Sequence, residues 1–120
     1  MRIAQVILPK LDNDGQDLQA VHYGLRRSLA KAFGGYTALD SHGGWIDDSG
    51  KLYDEPGVTY QIACEPSDAN RETLRQIAVS HGRAAAQLAV FVSYACGTAE
   101  IIDLAPFLGA AGGAHANAYA

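Results

Sequence analysis

The segment from Asp40 to Tyr60 gathers the side chains best able to do chemistry. Asp40, His42, Trp45, Asp47, Asp48, Glu55 and Tyr60 are interleaved there with glycines. Carboxylates beside an imidazole can hold a divalent cation or work as an acid–base pair. Neither H-x-x-x-H nor a calcium-loop spacing is present, and Asp47-Asp48-Ser49-Gly50 is ordinary turn chemistry, so no metal site is expected. Trp45, the single Trp, could wall a ligand or anchor a partner, or simply plug the end of a sheet. Glu55 and Tyr60 flank the start of an alternating run, with Tyr53 close by. Converging at one sheet end they would suit a small polar ligand, whereas as packing residues the tyrosines would only keep their hydroxyls wet. His81 falls on the apolar stripe of a helix, where an imidazole is either a tuned general base or a satisfied helix-end group. His22 and His115 have weaker claims. Cys96, before Gly97, could be a strand-end nucleophile, but the spacing of Cys64 and Cys96 favours small buried hydrophobes. G-x-S-x-G, P-loop and G-x-G-x-x-G motifs are missing, and no cofactor is expected.

The elements that must position these residues can be read from periodicity. Residues 2–8 form a β-branched apolar run stopped by Pro9 and read as a buried strand. From Gly15 to Phe33, Leu18, Val21, Leu25, Leu29 and Phe33 recur at three- and four-residue steps, predicting an amphipathic helix capped by Asn13 or Asp14 and ended by Gly34-Gly35. Tyr36–Asp40 reads as a strand and Ser41–Gly44 as a turn. Trp45-Ile46 and Lys51–Tyr53 then flank a hairpin turn. Residues 58–65 alternate, Val58, Tyr60, Ile62 and Cys64 sharing the better-buried face. A second helix opens at Pro66-Ser67-Asp68 and weakens at Gly82. Leu88–Ala95 reads as a strand covered on both faces, and Glu100–Asp103 as a short edge strand.

The predicted fold is α+β: a ferredoxin-like β-α-β-β-α-β sandwich with an extra central hairpin, its antiparallel sheet carrying both helices on one face. The other face then needs cover, and a homo-oligomer, most simply a dimer, supplies it. The folding unit spans residues 1–103. The uncharged, Ala/Gly-rich residues 104–120 read as a flexible tail.

Composition narrows the partners. With 48% hydrophobic residues and 9 Lys+Arg against 13 Asp+Glu, the net charge is -4. This suits one small domain and excludes global disorder. It also argues against direct nucleic-acid binding, which needs clustered cations to displace counterions. Arg26, Arg27 and Lys31 sit at helical spacing and read as a solvated face. No run approaches the ~18 apolar residues of a membrane span, and no secretory h-region is present, so a cytoplasmic location with reduced thiols is expected.

The central segment resembles a family of small bacterial and phage-borne proteins of unknown function. The resemblance rests on Phe33-Gly34-Gly35-Tyr36-Thr37, Gly44-Trp45-x-Asp47, Ser49-Gly50 and Glu55-Pro56, in that order, and on the later run from Gln76 to Val92. It implies a ferredoxin-like domain, a phage or mobile-element context, and no particular activity. The reading from sequence is therefore a small binding or accessory protein engaging a protein or small ligand through His42, Trp45, Asp47, Glu55, Tyr60 and His81. One alternative is a small enzyme whose site joins His42, Trp45, Tyr60 and His81. Another is an acidic inhibitor of a nucleic-acid-binding host protein.

Overall fold

The computed structural model describes residues 1–105. The elements are β1 (Arg2–Pro9), α1 (Gln19–Phe33), β2 (Thr37–Ile46), β3 (Leu52–Cys64), α2 (Asp68–Ala84), β4 (Ala89–Ser93) and β5 (Ala99–Asp103). One antiparallel sheet has the order β2-β3-β1-β4-β5. This is an α+β architecture, and β5 is the short edge strand expected at Glu100–Asp103.

Strand periodicity sorts the sheet into two faces. Ala4, Val6, Leu8, Val58, Tyr60, Ile62, Val90, Val92 and Ile102 are buried on one face, against Leu25 and Leu29 of α1 and Leu74 and Ala78 of α2. Burying each such Leu or Val side chain stabilises by roughly 1.5–3 kcal/mol. The opposite face carries one row straight across all five strands: Leu39, Thr59, Ile7, Phe91 and Ile101, paired in register. Thr59 is buried and Ile7 and Phe91 half-buried, but Leu39 and Ile101 at the ends are exposed. On β4 this face holds buried Ala89 and half-buried Phe91.

Local chemistry explains where elements begin and end. α1 starts at Gln19, four residues later than expected, because Asp12 folds the preceding segment into a turn. Its Oδ1 accepts from the amides of Asp14 (2.9 Å) and Gln16 (2.8 Å), and Leu11 bridges Asp17. Gly34 ends α1 in the left-handed region at φ 87°, donating to Ala30 O. α2 begins as expected at Ser67, whose hydroxyl accepts from Asn70 N. It runs through Gly82, where a Cβ would come within 2.6 Å of Leu104 Cδ1 and 3.4 Å of Val90 Cβ. Glycine there permits close approach to β4 rather than ending the helix. The helix closes with Gln87 N donating to Gly82 O and Ala86 N to Arg83 O. This is a Schellman pattern that puts Ala86 at φ 55° without the usual glycine.

Two expectations are corrected. Ser41–Gly44 is not a turn: β2 is continuous to Ile46 and pairs with β3 as far as Ile46–Leu52, so the extra central hairpin is the far end of the β2–β3 pair. β1 stops at Pro9, opposite Gly57, leaving the β2–β3 residues beyond as a two-stranded ribbon. Leu104, assigned to the tail, is fully buried and donates to Leu88 O. The remaining tail, residues 106–120, lies outside the described residues. Among the described residues no helix is long and apolar enough to cross a membrane.

Candidate functional site

The ribbon forms a cleft with the β1–α1 loop on the sheet face opposite the helices. Register puts Trp45 opposite Tyr53, Gly43 opposite Glu55 and Ser41 opposite Gly57, all continuing the row face of Leu39 and Thr59. A cleft of about 320 Å³ runs between Trp45, Tyr53 and Glu55 on the ribbon and Leu11, Asp12 and Gly15 on the loop. A smaller recess of about 60 Å³ adjoins it, lined by Ile7, Ser41, His42, Glu55 and Ala89. Pro9, Glu55, Pro56 and Gln87 line both. The combined volume falls in the range of small-ligand sites.

Asp47, outside the lining, orients one wall through Tyr53. Its Oδ1 accepts from Ser49 N (2.9 Å), Ser49 Oγ (2.6 Å) and Lys51 N (3.0 Å), and its Oδ2 accepts from Tyr53 OH (3.2 Å). These bonds hold its pKa down at about 2. Tyr53, so oriented, stacks on Trp45 at 4.6 Å between centroids and 14° between planes. Lys51 Nζ lies 4.8 Å from the Tyr53 ring centre but does not line the cleft. Trp45 Nε1 is buried with no hydrogen-bond partner among the described residues.

Glu55 is half-buried, and its carboxylate has no ion-pair or hydrogen-bonding partner among the described residues. Asp12 is the other charged group of the lining, and no Lys or Arg is among the lining residues of either cavity. Gln87 is 4% exposed and donates from Nε2 to Ala85 O at 3.2 Å.

The other predicted residues are dispersed. His42 lines the small recess, and its Nδ1 donates to exposed Asp54 at 3.0 Å. Asp40 pairs with Lys10 at 2.9 Å, which lowers its pKa. Among the described residues no three His, Cys, Asp or Glu side chains gather closely enough to hold a metal. Tyr60 lies on the helix face, fully buried. Its hydroxyl is 2.6 Å from His22 Nδ1, and His22 Nε2 is 2.8 Å from Pro9 O. The carbonyl only accepts, so Nε2 carries the proton and Tyr60 donates to Nδ1. Burial pushes the His22 pKa down and the Tyr60 pKa up. His81 also lies on the helix side, donating from Nδ1 to Ile77 O, with Nε2 facing Gly24 of α1. Of the six predicted residues, Trp45, Asp47, Glu55 and His42 are therefore brought to the ribbon, while Tyr60 and His81 are on the other side of the sheet. Cys64 is buried as expected, whereas Cys96 is exposed beside Thr98, 3.0 Å from its Oγ1. Sequence reasoning missed Asp12, Pro9 and Gln87. The Asp12-x-x-Gly15 turn was a signal for the first, but nothing in Ala84-Ala85-Ala86-Gln87 announces a left-handed residue aiming Gln87 at the cleft.

Comparison with solved structures places this architecture in a class. The chain is similar to a phage SAM lyase in its apo state, with a TM-score of 0.64 at 14% identity over 84% of this chain and 87% of that one. The same TM-score, at 15% identity over 84% of this chain and 88% of that one, relates it to a phage SAM lyase in complex with S-methyl-5'-thioadenosine. At this identity the likeness is one of fold. No family model and no curated protein matches the chain.

Proposed function

We propose that the chain binds an S-adenosyl ligand in the ribbon cleft and cleaves it, as a phage SAM lyase would. The observation that carries this reading is the make-up of the lining: a stacked aromatic wall and two carboxylates, with no cation among the lining residues. Such a surface suits a ligand joining a flat ring system to a positive charge. S-adenosylmethionine has both, in its adenine and its sulfonium. Breaking the bond from sulfur to the methionine-derived arm leaves its electron pair on sulfur and gives a neutral thioether, S-methyl-5'-thioadenosine, the compound held by one of the structural neighbours; the arm's own carboxylate oxygen bonds to the released carbon and closes homoserine lactone. In this reading Trp45 and Tyr53 hold the adenine, Glu55 faces the sulfonium, and the arm lies in the recess beside Ser41 and His42. The resemblance motifs Gly44-Trp45-x-Asp47 and Glu55-Pro56 supply the wall and the carboxylate.

Calorimetry with S-adenosylmethionine and S-methyl-5'-thioadenosine tests binding, and mass spectrometry of the incubated mixture tests cleavage. Both compounds should bind, and the thioether should accumulate with the native chain but not with Glu55→Gln. No binding of either compound overturns the reading. Binding without conversion leaves the small-ligand accessory role and removes the enzymatic one. ATP, whose phosphates would meet Glu55 and Asp12, should bind far more weakly.

The same proposal extends to architecture and setting. β1–β4 with the two helices are read as a ferredoxin-like unit to which β5 is added. The open sheet face is read as the surface covered by a second copy, and action on a cytosolic metabolite implies a cytoplasmic location. The acidic-inhibitor alternative has less support, because Asp40, Glu65 and Glu100 are each engaged by a cation rather than gathered on one face.

A further inference from the structure

We propose that Gln87 reads the base of the bound nucleoside and selects adenine; this rests on the adenosyl reading of the cleft. Gln87 is almost fully buried, yet lines both the cleft and its recess, across from the ribbon. Its amide makes one hydrogen bond among the described residues, from Nε2 to Ala85 O. That bond uses one N–H and leaves the other N–H and the Oε1 acceptor without partners among the described residues; in the proposed pose the bonded N–H is the one trans to Oε1, so the free pair lies side by side. Oε1 is not sealed in the interior, so a ligand in the cleft can reach it and the second N–H.

Adenine presents the complementary pair on its Watson–Crick edge: the N6 amine donates, and N1 accepts. Two parallel bonds from a side-chain amide can read such a pair, as they read the N6/N7 pair in a DNA groove. Hypoxanthine replaces the amine by a carbonyl. To meet it along the same edge the amide would have to turn over, setting Oε1 against Ala85 O, two acceptors face to face. The tether to Ala85 therefore fixes which way the amide is read, and with it the base. The backbone serves this placement: Ala86 accepts the left-handed region at φ 55°, and Gln87 N is held to Gly82 O at 3.0 Å. An aromatic wall alone would take any base, because every base has a π-face. Selection needs the amide.

The test compares S-methyl-5'-thioadenosine with S-methyl-5'-thioinosine, by calorimetry on the full chain. The native protein should prefer the adenine compound by roughly 10- to 100-fold. Gln87→Met, similar in volume, should lose about that factor for the adenine compound and bind the two alike, with folding verified by its melting curve. Trp45→Ala should weaken both compounds while keeping the preference. Equal native affinity for the two compounds, or a preference that survives in Gln87→Met, overturns the role of Gln87 while leaving the cleft reading intact. Failure of the native chain to bind either compound overturns the cleft reading and the base selection together. Because the native comparison needs no variant, a Gln87→Met chain that does not fold still leaves a decisive result.

Discussion

Trp45 earns its place at the cleft through a neighbour: Asp47 fixes Tyr53, and Tyr53 supports the indole. Removing the indole takes away the stacking wall but little of the core, which lies on the other face of the sheet. Trp45→Ala should raise the dissociation constant for S-methyl-5'-thioadenosine about 5- to 100-fold, the worth of one base–aromatic stack, as read by calorimetry. Its melting temperature should stay close to that of the native chain. Ala86 supplies a stability test free of the ligand. A non-glycine residue at φ 55° carries steric cost that glycine avoids, so Ala86→Gly should stabilise by about 0.5–1 kcal/mol in urea titrations. His22 supplies a pH test. Its folded-state pKa lies below the ordinary 6.5, so the unfolded chain binds the proton more readily. Its contribution is fully present above pH 6.5 and is lost as pH falls below that value towards the folded pKa. The lowered carboxylates Asp40, Asp47 and Glu100 act only below about 4.5, so the interval from pH 6.5 to 5 isolates the imidazole. Stability measured across that interval should fall for the native chain and stay flatter for His22→Asn.

At the scale of elements, the ribbon formed by the ends of β2 and β3 is held by its own turn and not by the rest of the sheet. Asp47→Ala removes three bonds to the turn and the anchor of Tyr53. Amide exchange should therefore accelerate across residues 42–56 while β1 and the helices keep their protection. Much of this layout is legible in the sequence, since the alternation at 58–64 and the three-and-four spacing in α1 each report one buried face directly. The ribbon was not. Ser41-His42-Gly43-Gly44 has turn composition, but pairing with Asp54–Gly57 keeps it extended, and pairing is a property of two segments that neither displays alone. The site was half legible for the same reason. Trp45 and Glu55 differ by ten positions yet meet at one cleft through register. Tyr60, five residues beyond Glu55, has the opposite parity and points into the core. His81 shares the apolar stripe of its helix and so faces α1. Gln87 depends on one unusual backbone angle that an alanine does not advertise.

For the whole molecule, the sheet face away from the helices leaves Ile3, Leu39 and Ile101 exposed. If a second copy covers it, sedimentation equilibrium should give a mass above the monomer, and Leu39→Glu with Ile101→Glu should return the chain to one copy without unfolding it. A monomeric native chain would remove that part of the proposal. Charge is also divided between the helices and the rest of the chain. α1 has Arg26, Arg27 and Lys31 and no acidic residue, while α2 sets Arg71, Arg75 and Arg83 against Asp68 and Glu72. Six cations against two anions leave +4 on the helices; with -4 for the chain, everything outside them carries -8. The cleft draws its lining from that acidic remainder, with Asp12 and Glu55 in it and no Lys or Arg. A sulfonium approaching from solvent therefore meets a net-negative chain and an acidic cleft before any contact forms. The association rate for S-adenosylmethionine should therefore drop as salt rises to physiological strength, where fields fade over about 8 Å. The rate for the uncharged thioether should hardly change.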